Sequence, residues 1–159
     1  MDGGYPAWHY FPTNHRPPEW AEAFVELVRA KQAELDSSTI DGLSSDAALA
    51  VLHDGLVTLG YQVESSKRAA DRIRRPVLFG PQGAPRVAYE IDAVHDELGI
   101  VVEIEAGRGA RGNAVYRDLI RTSLIAGAQF LVLGVMQEYR HQSGSKRISV
   151  HSYLDSLAQ

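Results

Sequence analysis

No cysteine occurs among the 159 residues of this chain. That excludes disulfides, thiolate zinc sites and cysteine nucleophiles, and it makes a cytoplasmic protein the expectation. There is no apolar run long enough to read as a membrane-crossing helix, which takes about 18 residues or more. The opening stretch, MDGGYPAWHYFPTNHRPPEW, lacks both the basic start and the apolar centre of a secretory leader, so none is expected. Several catalytic signatures are missing as well. Neither HExxH nor GxSxG occurs, the six histidines are scattered, and GRGARGN (107–113) lacks the Lys-Ser/Thr ending of a Walker phosphate loop.

The net charge of −4 is no invitation to nucleic acid, but it averages two unlike parts. Residues 1–66 hold 3 Lys/Arg against 10 Asp/Glu, whereas residues 67–159 hold 13 against 10. If the acids of the second part gather in a buried cluster, its outer surface is more basic than the sum, and an anionic partner is permitted. The length suits one domain with a real core, and 45% hydrophobic with 23% charged residues is an ordinary globular balance.

Residues 1–18, rich in Pro, Gly and aromatics, read as an irregular arm that either packs across its own domain or makes a dimer contact. Residues 19–159 read as a single domain. Trp20, Phe24, Leu27, Val28, Lys31 and Leu35 follow helical spacing over 19–35, with Glu19, Glu22 and Glu26 near the positive end of the helix dipole. A second helix is predicted over about 46–59, capped by Ser44 or Ser45, striped by Leu49, Leu52, Leu56 and Leu59, and stopped by Gly60. A short strand is expected at 61–65 and an extended stretch at 76–79, followed by a turn at PQGAP. The two clearest strands are 86–95 and 100–106, joined by the loop Asp96-Glu97-Leu98-Gly99. A helix is predicted over 114–128, with Val115, Leu119, Ile120 and Leu124 as its apolar face. Residues 130–136 read as a central strand because they are apolar throughout, and 139–147 as a polar loop. The order is that of a mixed α/β domain.

The informative pattern is Tyr89-Glu90-Ile91-Asp92 followed by Val102-Glu103-Ile104-Glu105. Strand alternation puts Glu90 and Asp92 on one face, and Glu103 and Glu105 likewise share a face. A four-residue loop pairs His95 with Ile100, which sets Asp92 opposite Glu103 and Glu90 opposite Glu105. Like charges facing each other destabilise a sheet, and crowding them costs more. Four acids with no Lys or Arg among them are explained most simply by a hard divalent cation such as Mg²⁺, which prefers oxygen ligands. A solvent-washed acidic face is the other reading. His95 falls on the opposite face and reads as a turn residue rather than a ligand, and Asp54 on the second helix reads as a surface acid, with a reach into the site as the other reading.

These residues resemble the PD-(D/E)XK nuclease superfamily, type II restriction endonucleases in particular. There, an Asp on one strand precedes an acid-x-Lys triplet on the next. Asp92 matches the Asp, and Glu103-Ile104-Glu105 matches the triplet with Glu in place of Lys, a replacement known in some members. The resemblance covers roughly residues 44–136. It implies a restriction-endonuclease-like core, a mixed central sheet flanked by helices, and Mg²⁺-dependent cleavage of DNA, with Mn²⁺ as substitute. Asp92 and Glu103 would hold the metal, with the Ile104 carbonyl and Glu90 as further ligands, and Glu105 would act as general base or second-metal ligand. Arg108, Arg111, Arg117 and Arg121 would hold the DNA backbone, with the basic stretch 67–75 as a second surface. A homodimer follows from the need to cut two strands. The alternative is a nuclease-fold module that has lost catalysis and binds DNA or a protein.

Overall fold

The computed structural model describes residues 4–66, 68, 70–106, 114–143 and 145–150. Residues 4–18 run without helix or strand, as expected of the arm. Tyr5 packs on the core and its carbonyl accepts a hydrogen bond from Arg29 Nε, while Phe11 stays exposed. The first helical stretch is split. Helix α1 (Glu19–Ala30) ends at Lys31, and the short α2 (Gln32–Leu35) follows. Helix α3 (Ser45–Thr58) starts where Ser44 Oγ accepts from the Ala47 N–H at 3.1 Å, which satisfies one of the unpaired donors of the first turn. It buries Leu49, Leu52 and Leu56 and stops at Gly60, whose φ of 93° suits a residue without Cβ.

The main sheet has four strands in the order β1 (Gln62–Val63), β4 (Ala93–His95), β5 (Ile100–Glu105) and β6 (Phe130–Val135). The first three are antiparallel neighbours, and β6 joins β5 in parallel through the helix α4 (Ala114–Leu124). The molecule is thus mixed α/β with a mixed sheet, as the order of elements predicts. A two-stranded sheet of β2 (Ile73–Phe79) and β3 (Pro85–Ile91) stands beside it. The predicted polar loop after residue 139 is instead a second hairpin, β7 (Tyr139–Ser143) and β8 (Lys146–Val150). Polarity misled there because a strand outside the main sheet has no need of an apolar face.

Period-two alternation divides the main sheet. Ala93, Ile100, Val102, Ile104, Phe130 and Val132 face α1–α3 and form the larger core with Leu52 and Leu56. Val94, Val101 and Leu131 face the other way, with Ile73, Ile91 and Ile125. Strand β6 is apolar because both its faces are covered, yet it lies at an edge of the sheet rather than at its centre. Helix α4 also turns a different face inward from the one its apolar residues suggest. Val115, Asp118 and Thr122 are buried, as is Ile125 just past its end, while Leu119, Ile120 and Leu124 are exposed. Among the described residues no helix is long and apolar enough to cross a membrane.

Candidate functional site

The hairpin keeps the predicted register where it was read from the loop: Ala93 pairs with Val102, Val94 with Val101 and His95 with Ile100. The ladder stops there because Asp92 interrupts it. Its Oδ2 accepts the Ile104 N–H at 2.7 Å, and its own carbonyl accepts the Glu64 N–H at 2.8 Å. A side chain has taken a donor that would otherwise serve the strand ladder, and the chain bends at that point. What reads as one strand over 86–95 is therefore two, β3 and β4.

The bend corrects one expectation. Glu90 does not stand opposite Glu105. It pairs with Arg74 across the β2–β3 ladder, and its carboxylate takes an ion pair from Arg72. Of the four acids, Asp92, Glu103 and Glu105 stay together. By alternation, Glu103 and Glu105 lie on the Val101 face, the one covered by α4.

Burial dominates the electrostatics of this group. It pushes the Glu103 carboxyl up to about 8, with Asp92 and Asp118 adding repulsion and Arg121 opposing them. It also raises the Asp92 carboxyl against the lowering effect of the Ile104 N–H, and Glu105, Asp46 and Asp118 push in the same direction as burial. Glu64, following β1, is raised by burial and then by Asp92. Glu64, Asp46 and Asp118 were not singled out as site residues from sequence. Glu64 and Asp46 arrive through long-range packing of β1 and α3. Asp118 had a signal in the helical spacing of Val115, Asp118, Thr122 and Ile125, which the brighter stripe of Leu119, Ile120 and Leu124 obscured.

Helix α4 brings Asp118 and two arginines to these acids. Arg117 donates to Glu105 Oε1 at 3.0 Å through Nη2 and to Asp118 Oδ1 at 3.1 Å through Nε. The Asp118 side chain is only 2% exposed, and its Oδ2 has no hydrogen-bond partner among the described residues. Leaving a buried acceptor unsatisfied costs about 1–3 kcal/mol, and more for a charged group. Arg121 lies with its guanidinium carbon 5.2 Å from the centre of the Tyr89 ring, a cation–π placement. Thus Arg117 and Arg121, expected to form a DNA-facing pair, both reach toward the acids. Arg108, Arg111 and Lys67 lie outside the described residues, as does Asn113. In the second basic stretch Arg72 serves Glu90 and Arg75 serves Asp96, while Arg68 and Arg74 are exposed.

The outlying candidates behave as turn and surface residues. His95 Nδ1 accepts the Leu98 N–H, and its ring packs edge-on against Tyr61. Asp54 is fully exposed and pairs with His53. An open cavity of about 440 Å³ lies along α3, lined by Asp46, His53, Asp54 and Glu64 among others. Among the described residues no three His, Asp or Glu side chains gather closely enough to form a ready metal cage. The donor set still suits a hard cation. All its atoms are oxygens, two carboxyls are raised by burial and by neighbouring acids, and a nearby carboxylate oxygen has no partner among the described residues. Comparison with family models, with curated proteins and with solved structures finds no match to this chain.

Proposed function

We propose that this protein is a Mg²⁺-dependent DNA endonuclease with a restriction-endonuclease-like core. The observation that carries the reading is the Asp92–Glu103 pair. Two acids are held beside the bend of a hairpin, on a sheet face closed by a helix, where burial raises both carboxyls and Asp92 raises Glu103 further. The order of elements supports it: a helix, the antiparallel β4–β5 pair, then a crossover helix to a parallel strand.

In this reading Asp92 and Glu103 hold Mg²⁺ or Mn²⁺, with the Ile104 carbonyl as a further donor. A cation there supplies a water of lowered pKa and neutralises charge growing on a phosphate. Glu105 accepts the proton of the attacking water. Arg117, about half exposed and held by Glu105, is placed to exchange that ion pair for a phosphate oxygen. Glu90, committed to Arg72 and Arg74's strand, tunes the field without ligating. DNA is the partner, a homodimer supplies two such sites for two strands, and the setting is cytoplasmic.

The test is plasmid nicking with Mg²⁺ and with Mn²⁺. The parent should cut, while Asp92→Asn and Glu105→Ala should both lose cutting with the fold intact. The Glu105–Arg117 ion pair favours a second reading, because an engaged carboxylate is a poor base: a nuclease-fold module that binds DNA or a protein without cleaving. A parent that binds DNA but never nicks under either metal establishes that second reading.

A further inference from the structure

Asp118 is the most deeply buried of the acids around Asp92 and Glu103. One of its oxygens is spoken for and the other is not. Arg117 Nε holds Oδ1 at 3.1 Å, and Oδ2 is left buried without a hydrogen-bond partner among the described residues. The side chain projects from the face of α4 that also carries Val115 and Thr122, the buried face of the helix. Glu103 and Glu105 lie on the sheet face opposite, and Arg117 ties Asp118 directly to Glu105. A folded chain keeps an oriented, unpaired carboxylate oxygen out of water at a cost, and that cost is offset when something donates to it.

We propose that Asp118 Oδ2 is an outer-shell acceptor for the metal centre, taking a hydrogen bond from a water carried by a divalent cation on Asp92 and Glu103. The inference rests on the metal reading given under Proposed function. It agrees with the absence of a three-acid cage among the described residues, because Mg²⁺ dehydrates reluctantly and uses one or two carboxylates plus several waters. An acceptor one water away then takes the place of a third direct ligand. Arg117 has a positioning role in this arrangement. It turns Asp118 so that the free oxygen faces the water, and at the same time it holds Glu105. Such outer-shell partners orient what the metal carries, and their loss ordinarily weakens metal binding ten- to a hundredfold.

The experiment is calorimetric titration of the full chain with Mn²⁺, alongside thermal melting in a chelator. Parent, Asp92→Asn and Asp118→Asn are compared, and activity is not needed. The amide in Asp118→Asn keeps the shape and an oxygen for Arg117 but presents no anionic acceptor. Binding of Mn²⁺ should weaken at least tenfold in Asp118→Asn and vanish in Asp92→Asn. Metal-free Asp118→Asn should melt above the parent, because one negative charge has left a crowd of acids. If Asp118→Asn does not fold, Asp118→Ser makes the same comparison. The proposal is overturned if the Asp118 variant binds Mn²⁺ within twofold of a parent that does bind. A metal-free melting temperature below the parent's, with binding unchanged, would mean that Asp118 only anchors Arg117. A parent that binds no Mn²⁺ at millimolar concentration removes the metal reading itself, and this inference with it.

Discussion

A carboxyl group that keeps its proton to about pH 8 has lost water without gaining enough donors, and Glu103 is such a group. Its ordinary value is 4.5, so between pH 4.5 and 8 the folded chain holds a proton that the unfolded chain has released. The unfolded state is favoured progressively across that window. This contribution to stability is therefore best below the lower value and falls as pH rises toward the upper one, by at most about 1.4 kcal/mol per pH unit. Urea unfolding of metal-free protein at several pH values should show the decline, and Glu103→Gln should flatten it relative to the parent. Millimolar Mg²⁺ or Mn²⁺ should also flatten it, since a cation bound only by the folded form favours the ionised carboxylate. An identical slope in parent and Glu103→Gln would show that burial does not hold the proton on this side chain.

At the scale of elements, helix α4 shows how an amphipathic reading goes astray. The helix carries apolar residues on two sides, and the side with more of them faces out. Its inward face is set by what lies beneath it: the cluster of Val101, Leu131 and Ile91 that takes Ile125 just past its end, and the acid Glu105 that takes Arg117. Ile120 is 61% exposed, whereas Leu52 on α3 is 3% exposed at the centre of the larger core. Chemical denaturation should separate them. Ile120→Ser should shift stability by only about 0.5 kcal/mol, the usual surface value, and Leu52→Ala should cost roughly 2–5 kcal/mol. A large loss in Ile120→Ser would mean that this face is covered in solution, and the oligomeric state would then be the quantity to measure.

On the scale of the whole molecule, the acids and the bases are arranged rather than averaged. Asp92, Glu103, Glu105 and Asp118 draw in Arg117 and Arg121, and Glu90 and Asp96 draw in Arg72 and Arg75. The proposed DNA contact would therefore have to come from arginines outside these pairs or from pairs that exchange partners on binding. Replacing Arg108 and Arg111 together by Glu should weaken DNA binding at low salt and lower the slope of log affinity against log salt by about 2, as phosphate contacts do. Filter binding across a salt series checks this. An unchanged slope moves the contact surface to Arg68, Arg74 and their neighbours.

The parts of the fold that depend on near neighbours were legible in the residues. Ser44 caps α3, Gly60 stops it, and the four-residue loop sets the β4–β5 register that brings Asp92 to the strand of Glu103. Caps, loop length and period-two alternation act over a few residues, so the local pattern suffices. Only the tertiary structure decided the rest. Strand 86–95 bends at Asp92 because its carboxylate takes the N–H of Ile104, twelve residues on, and that bend carries Glu90 away to Arg72. The edge place of β6 depends on which strands are left to pair, and the burial of Asp118 depends on which side of α4 the sheet covers. Each is a choice between partners distant in the chain, settled by the packing of whole elements, and no single segment encodes it.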